Sequence, residues 1–192
     1  SAFRDPALVH FFTGVTALGY WRVIATLVIA ASALMSLYGR LHYLPGLWLT
    51  VIGTQLTVTL LKSVFARPRP EMAVYAETSF SFPSGHSAAS VAFFGFLTYV
   101  LIRERIGPVV VSFLIGATLV FLIGLSRIYL VEHYLSDVLN GYLVGVLWAL
   151  LGIWLAEWLN TRRDWNRQVS VLSWQKVASL GVSVSAVVTV GL

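Results

Sequence analysis

Residues 109–125 read VVVSFLIGATLVFLIGL and contain no charged side chain. A run of this length and apolarity approaches the roughly 20 residues that a helix needs to cross a bilayer. The pattern recurs in five more stretches, of which the last is shorter: about Tyr20–Tyr38, Leu44–Val64, Ala88–Ile102, Val138–Trp158 and Val177–Leu192. We therefore predict an all-α integral-membrane bundle of five or six transmembrane helices, in which the Ala88–Ile102 helix begins near Gly85.

The composition agrees with this fold class. The chain has 192 residues, of which 58% are hydrophobic and 11% are charged. A soluble domain has about 25% charged residues, so this chain has too few polar side chains to coat a water-soluble globule. The net charge of +5 comes from basic residues at the ends of apolar runs, which favours membrane lipids and an anionic substrate as partners and excludes nucleic acid. The absence of cysteine excludes disulfides, thiolate metal sites and cysteine catalysis.

The first 19 residues differ from the apolar stretches. Ser1–Gly19 has no cleavable signal pattern and is typical of an amphipathic helix in the membrane interface, with Pro6 in its first turn. Its apolar residues on one side are Leu8, Phe11, Phe12 and Val15. No repeat divides the chain, so we predict one domain over residues 1–192. The chain ends inside an apolar run, which favours a fragment of a longer membrane protein or a rearranged set of helices.

Two kinds of link join the predicted spans. Gly39–Tyr43 and Arg103–Pro108 are tight turns, whereas Phe65–Pro83 and Ser126–Asp137 are longer and polar. If each stretch crosses once, the two polar links share one side of the membrane. Most other basic residues fall on the opposite side, namely Arg40, Arg103, Arg105, Arg162, Arg163, Arg167 and Lys176. The positive-inside rule then predicts polar links outside the cytoplasm, on the periplasmic or external face of a bacterial inner membrane.

Three polar clusters fall on that outer side. They are Lys62 with Arg69-Pro70, then Pro83-Ser84-Gly85-His86, then Ser126-Arg127 with His133 and Asp137. Lys62 ends the second span, His86 opens the third and Asp137 opens the fifth. The clusters therefore share one membrane depth, where three helices can bring them together.

This set of residues suits phosphoryl transfer. The transition state of that reaction spreads negative charge over three equatorial oxygens, and Lys62, Arg69 and Arg127 supply three cations. Ser84 and Gly85 precede a helix, where backbone N–H groups and the helix dipole favour an anion. Because these basic residues can neutralise the charge, we expect no metal and no cofactor.

The histidines supply the remaining chemistry. Neutral imidazole is a good nucleophile at physiological pH, and His133 lies four residues before Asp137, whose carboxylate can fix the ring tautomer. His86 is the candidate general acid for the leaving group, and it would then activate water against a phosphohistidine. We predict His133, His86 and Asp137 as catalytic residues.

The three clusters, Lys62–Pro70, Pro83–His86 and Ser126–Asp137, closely resemble the signature of the type 2 phosphatidic acid phosphatase superfamily. The resemblance implies a lipid phosphate or pyrophosphate phosphatase. It implies phosphate binding by Lys62, Arg69 and Arg127 with help from Ser84 and Gly85. It also implies the same roles for His133, Asp137 and His86. Members typically carry three spans before the first cluster, whereas this chain has two and the amphipathic segment.

Several alternatives stay open. The substrate could be undecaprenyl pyrophosphate, phosphatidylglycerol phosphate or phosphatidic acid, and a phosphotransferase would use the same intermediate. A transporter, or a noncatalytic lipid-binding module, is a lower-ranked alternative. The other polar residues have simpler interpretations. We interpret as interfacial anchors the basic residues Arg22, Arg40, Arg67 and Arg162–Arg167, and the tryptophans as an interfacial belt. We expect surface or interfacial positions for His10 and His42, solvated side chains for Glu77 and Glu132, and helix packing for Thr50, Thr54, Gln55 and Thr57.

Overall fold

A computed structural model describes residues 5–74 and 78–190, and side chains up to residue 162. All regular secondary structure in the described part is helical. The helices are α1 (Pro6–Ala17), α2 (Trp21–Leu37), α3 (Tyr43–Phe65), α4 (Gly85–Ser90), α5 (Phe96–Arg103), α6 (Val109–Tyr129) and α7 (Leu135–Val190). A π-helical turn, Val91–Gly95, joins α4 to α5, so residues 85–103 form one continuous span that begins at Gly85 as predicted.

The described residues contain four candidate spans, or five if α1 and α2 form one, whereas five or six were predicted. Within the described residues, four helical segments are long and apolar enough to cross a membrane: Tyr43–Phe65, Gly85–Arg103, Val109–Tyr129 and Leu135–Arg162. Helices α1 and α2 meet at a 45° bend and together would make a fifth span. The predicted sixth stretch, Val177–Leu192, lies outside the residues whose side chains the structure describes.

The chain divides into two compact units, Ser1–Ala156 and Glu157–Leu192. The buried apolar core of the first unit joins Ile24 and Val28 of α2 to Leu47 of α3 and Ile123 of α6. In the second unit, the guanidinium carbon of Arg162 lies 5.0 Å from the centre of the Trp158 ring, an arrangement typical of an interfacial anchor. The candidate site lies entirely in the first unit.

Local signals set the helix ends near the site. Helix α3 stops because Ala66 adopts a left-handed conformation, with φ 44°, and Pro68 cannot continue a helix from its position two residues later. Helix α4 begins after Ser84, whose hydroxyl accepts a hydrogen bond from the backbone N–H of Ser87. Helix α6 extends to Tyr129, so Ser126 and Arg127 are helical rather than part of a link.

Small residues bring α7 against α4. A Cβ atom added to Gly141 would lie 2.5 Å from the backbone oxygen of Ser84, and one added to Gly145 would lie 2.6 Å from that of Ala88. Only glycine permits so close an approach, as is common between membrane helices. The first turn of α7, which carries Asp137, therefore lies beside the start of α4.

The opposite ends of the spans carry a separate ion pair. The Arg40 guanidinium lies 2.6 Å from the carboxylate of Glu104, which also accepts a hydrogen bond of 2.7 Å from the Tyr43 hydroxyl. The turns at this end have positive φ at Gly39, Arg105 and Gly107. Both predicted tight turns are therefore confirmed.

Candidate active site

The centre of the site is the pair formed by His133 and Asp137. His133 lies just before α7, and its Nδ1 atom is 3.5 Å from Oδ2 of Asp137. The backbone N–H of Tyr134 donates a 3.0 Å hydrogen bond to the same carboxylate oxygen. Both His133 and Asp137 are buried. The Asp137 carboxylate thus contacts Nδ1 of His133, and Nε2 is the ring nitrogen that can contact a ligand.

Two further side chains fix the Asp137 carboxylate. The Ser81 hydroxyl, fully buried, donates a hydrogen bond to Oδ2 and lies 3.4 Å from Nδ1 of His133. Arg67 donates a 2.8 Å hydrogen bond to Oδ1, and its guanidinium carbon lies 4.1 Å from the centre of the Tyr134 ring. The interpretation of Arg67 as an interfacial anchor was wrong, because the loop after α3 folds back and directs this side chain to Asp137.

Arg69 lies on the Nε2 side of His133. One guanidinium nitrogen, NH1, is 3.3 Å from Nε2 of His133 and donates a 2.9 Å hydrogen bond to the backbone oxygen of Glu132. The rest of the guanidinium is held by Ser79, through its backbone oxygen at 2.8 Å and its hydroxyl at 2.9 Å. A ligand that reaches His133 Nε2 therefore meets the Arg69 guanidinium at once.

Arg127 comes from the last turn of α6 and is 2% exposed. Its NH1 atom donates a 3.0 Å hydrogen bond to the Thr16 hydroxyl of α1. Phe12, one turn earlier in α1, packs against Tyr129, with ring centres 4.5 Å apart. The N-terminal helix thus contributes to the site, which its amphipathic sequence alone did not indicate.

Glu132 is the second residue that sequence reasoning misjudged. We expected a solvated side chain, but its carboxylate is fully buried, 3.5 Å from Arg69 and 3.8 Å from Arg127. The preceding residue, Val131, has a positive φ of 54°, a conformation that strains a β-branched residue. This reversal of the backbone turns Glu132 toward the two arginines. Glu77 lies outside the described residues.

Lys62 and the Pro83–His86 segment complete the arrangement. The Lys62 ammonium group donates a hydrogen bond to the backbone oxygen of Phe80, in the loop that also carries Ser81. The backbone N–H of Ser84, which was predicted to face an anion, instead donates a 3.0 Å hydrogen bond to the backbone oxygen of Asp137. His86 lies in the first turn of α4, with its ring centre 6.1 Å from that of Tyr20. The positive charges of Arg127, Arg69 and Lys62 lie near enough to act on it electrostatically.

The electrostatics of the site favour a neutral nucleophile. The pKa of His133 is lowered from 6.5 to about 4, first by burial and then by the positive charges of Arg127, Arg69 and Lys62, while the contact with Asp137 raises it. The ring is therefore neutral at physiological pH. Among the described residues, no group of three or more His, Asp or Glu side chains is arranged to hold a metal ion.

The structure therefore brings the predicted set together at one end of the spans. A helical membrane protein with a buried His–Asp pair and the basic side chains of Lys62, Arg69 and Arg127 near it is, by class, a membrane enzyme suited to phosphate chemistry. The sequence matches the PAP2 superfamily over residues 43–161, which is more than half of the chain. The protein belongs to the PAP2 superfamily.

Comparison with individual proteins agrees. The chain is 34% identical to phosphatidylglycerophosphatase B of Bacillus subtilis over 75% of its own length and 73% of that protein's. It is 32% identical to a lipid A 1-phosphatase of Rhizobium johnstonii, over 55% of the chain and 44% of the relative. The predicted enzyme class, a membrane lipid phosphatase, is confirmed.

Solved structures show the same fold. The crystal structure of the transmembrane PAP2-type phosphatidylglycerolphosphate phosphatase from Bacillus subtilis superposes with a TM-score of 0.75 at 30% identity, covering 81% of this chain and 80% of that one. The structure of LpxE from Aquifex aeolicus superposes with a TM-score of 0.63 at 26% identity, over 79% and 88% of the two chains. The predicted all-α membrane fold is confirmed.

Proposed function

We propose that this protein hydrolyses a lipid phosphomonoester, or the terminal phosphate of a lipid pyrophosphate, through a phosphohistidine at His133. The observation that carries the proposal is the orientation of the His133 ring. Its Nδ1 atom faces Asp137 at 3.5 Å, and its Nε2 atom faces the Arg69 guanidinium at 3.3 Å. A phosphate bound to Arg69 would therefore lie against the nitrogen that carries the free electron pair.

In the first step, the Nε2 lone pair of His133 attacks phosphorus and the bond to the lipid oxygen breaks. Lys62, Arg69 and Arg127, hereafter the basic cluster, neutralise the charge on the equatorial oxygens, with the Ser84 hydroxyl and the Gly85 N–H at the start of α4 assisting. Asp137 stabilises the positive charge that develops on the His133 ring, because its carboxylate already contacts Nδ1.

His86 transfers a proton in both steps of the reaction. The negative charge of the bound substrate favours the protonated form of a nearby imidazole, and protonated His86 donates to the leaving oxygen of the lipid. In the second step, neutral His86 takes a proton from water, the water oxygen attacks phosphorus, and the phosphorus–nitrogen bond breaks. Inorganic phosphate leaves and both histidines return to their starting state, without a metal in either step.

Two features support an external site and a lipid substrate. The basic residues Arg40, Arg103 and Arg105 lie at the ends of the spans opposite the site, and by the positive-inside rule this distribution favours a site outside the cytoplasm. The site lies where α4, α6 and α7 begin or end, which is head-group depth for a spanning helix. A lipid could present its phosphate there while its chains stay in the bilayer. The relatives make phosphatidylglycerol phosphate the first substrate to test.

The experiment measures phosphate release by the purified full chain in detergent, with EDTA present. The panel contains phosphatidylglycerol phosphate, phosphatidic acid, undecaprenyl pyrophosphate and lipid A. We expect release by the wild type and by His10→Ala, whose side chain is exposed on α1, and none by His133→Ala. Acid-labile labelling of the quenched wild type by a phosphate-labelled lipid would reveal the phosphohistidine. Release that EDTA abolishes, or that His133→Ala retains, would contradict the mechanism.

A further inference from the structure

A carboxylate is an unexpected group in a site that binds phosphate. Yet Glu132 is fully buried, and one of its carboxylate oxygens, Oε2, lies 3.5 Å from Arg69 NH1 and 3.8 Å from Arg127 NH2. Asp137, the other buried carboxylate of the site, pairs with Arg67 and His133. Glu132 is thus shared by the two arginines of the basic cluster.

The surrounding contacts hold Glu132 firmly in this position. Its backbone N–H donates a 3.0 Å hydrogen bond to the backbone oxygen of Arg127, and its backbone oxygen accepts one of 2.9 Å from Arg69 NH1. Both arginines are therefore linked to Glu132 through main chain and side chain alike. A rotation of the carboxylate away from them would leave a buried charge without compensation, which is strongly unfavourable.

The charge balance of the site depends on this residue. The basic cluster carries three positive charges, and Glu132 reduces the sum to two. A phosphomonoester carries about two negative charges above the second pKa of phosphate, so the substrate is matched by the site as it stands. Without the carboxylate the site would carry an excess positive charge and would hold the product phosphate more strongly.

We propose that Glu132 is the resident counter-anion of the phosphate site. It orients Arg69 and Arg127 while the site is empty, and it weakens the binding of product phosphate so that the product leaves. This inference rests on the proposed function and names a positioning residue of the same site. Glu132 does not touch the reacting atoms, and it acts through the two arginines.

The test is the substitution Glu132→Gln, which removes the charge and keeps the shape and one oxygen acceptor. We expect the dissociation constant of inorganic phosphate, measured by calorimetry on the full chain in detergent, to fall about 10-fold or more. In turnover with a lipid phosphate, kcat and KM should both fall, because product release becomes slow while binding becomes tighter. Glu132→Asp keeps the charge and should bind phosphate within about 3-fold of the wild type.

Glu104→Gln is the matched control. Glu104 also joins an arginine, Arg40 at 2.6 Å, but at the other end of the spans, so its substitution should leave phosphate binding unchanged. Unchanged or weaker phosphate binding by folded Glu132→Gln would overturn the proposal. So would tightening by Glu104→Gln to the same degree, or the absence of phosphate binding by both the wild type and Glu132→Gln.

Folding of the variant supplies a second measurement. If Glu132→Gln is unstable because Arg69 and Arg127 have lost their counter-anion, then phosphate should replace it, and the rise in Tm on adding phosphate should exceed that of the wild type. Failure of phosphate to stabilise the variant would show a merely structural role and overturn the proposal. Calorimetry measures phosphate binding without turnover. A chain that binds phosphate but hydrolyses no lipid would therefore refute the proposed function, while the effect of Glu132→Gln on phosphate binding would still decide the role of Glu132.

Discussion

Asp137 shows how much of the chemistry depends on residues around the signature positions. Its carboxylate has no exposed surface and is held by Ser81, Arg67 and the backbone N–H of Tyr134 as well as by His133. Each donor fixes a carboxylate oxygen in place, so the carboxylate already faces Nδ1 of His133 before the substrate binds. Preorganised groups of this kind cost no reorganisation during the reaction.

Arg67→Ala should therefore lower kcat with little change in KM. The substitution removes a charged hydrogen bond of 2.8 Å from Asp137, which is worth about 1.5–3 kcal/mol and corresponds to a loss of roughly 10-fold to 100-fold in rate. Arg40→Ala removes a comparable pair with Glu104 far from the site and should keep the wild-type kcat. Steady-state kinetics on both variants make the comparison, and a raised KM at normal kcat would instead indicate that Arg67 binds substrate.

The His133 ring should stay neutral well below its usual range. Its pKa is lowered to about 4, by burial first and then by the neighbouring positive charges. A histidine NMR resonance that disappears in His133→Ala should thus show no titration between pH 8 and about 5.5. A midpoint near 6.5 would contradict the burial of this ring.

The same shift has a consequence for stability. In the unfolded chain His133 titrates near 6.5, so between pH 6.5 and about 4 the unfolded state binds more protons than the folded state. The contribution of this residue to the free energy of unfolding is therefore complete above pH 6.5. It is lost progressively as the pH falls toward 4.

At the scale of elements, the bend between α1 and α2 positions the first helix against the site. Gly19 lies at this bend, and a Cβ atom there would come within 2.8 Å of Ile123 and 3.2 Å of the His86 side chain. Thr16, one turn before, accepts the hydrogen bond from Arg127. The bend thus sets both the distance of α1 from α6 and the space left for His86.

Gly19→Ala should displace His86 or α1 and lower kcat by about 10-fold or more, since small displacements of catalytic groups are costly. Gly14→Ala is the control in the same helix. A Cβ atom at Gly14 meets nothing within 4 Å, so alanine should keep activity and raise helix stability by up to about 1 kcal/mol. Activity assays and thermal unfolding of the two variants test the pair. Equal activity in both would show that the close approach at Gly19 does not matter for His86.

The helices and the signature residues could be predicted from the sequence, whereas the role of Arg67 could not, and this difference has a physical cause. Apolar runs and signature spacing are local properties, so the helices and the positions of Lys62, Arg69, His86 and His133 could be predicted. The role of Arg67 could not, because it depends on the loop returning to place Ser81 N–H on the backbone oxygen of Arg67 at 2.8 Å.

Glu132 shows the same limit. An acidic residue beside a catalytic histidine in a polar link is usually solvated, and only the turn at Val131 and the convergence of two arginines reveal a buried one. The extent of α6 was also underestimated, because Ser126 and Arg127 are polar yet helical. Long-range contacts satisfy these side chains, and no periodicity in the sequence records such contacts.

At the scale of the whole molecule, the orientation in the membrane decides which pool of lipid the enzyme meets. The chain contains no cysteine, so single cysteines report sidedness without removing native ones. Glu71 is exposed in the loop after α3 on the side of the site, and Ile106 is 58% exposed in the turn before α6 on the opposite side.

In spheroplasts of a bacterial expression host, a membrane-impermeant maleimide should label Glu71→Cys directly and Ile106→Cys only after permeabilisation. The expected result follows from the arginines at the far ends of the spans, because translocating such charges is unfavourable. Labelling of the cysteine-free wild type sets the background. The reverse pattern would place the site on the cytoplasmic side, where the basic cluster would bind lipid phosphates of the inner leaflet. That result would refute the external location of the site but not the proposed chemistry at His133.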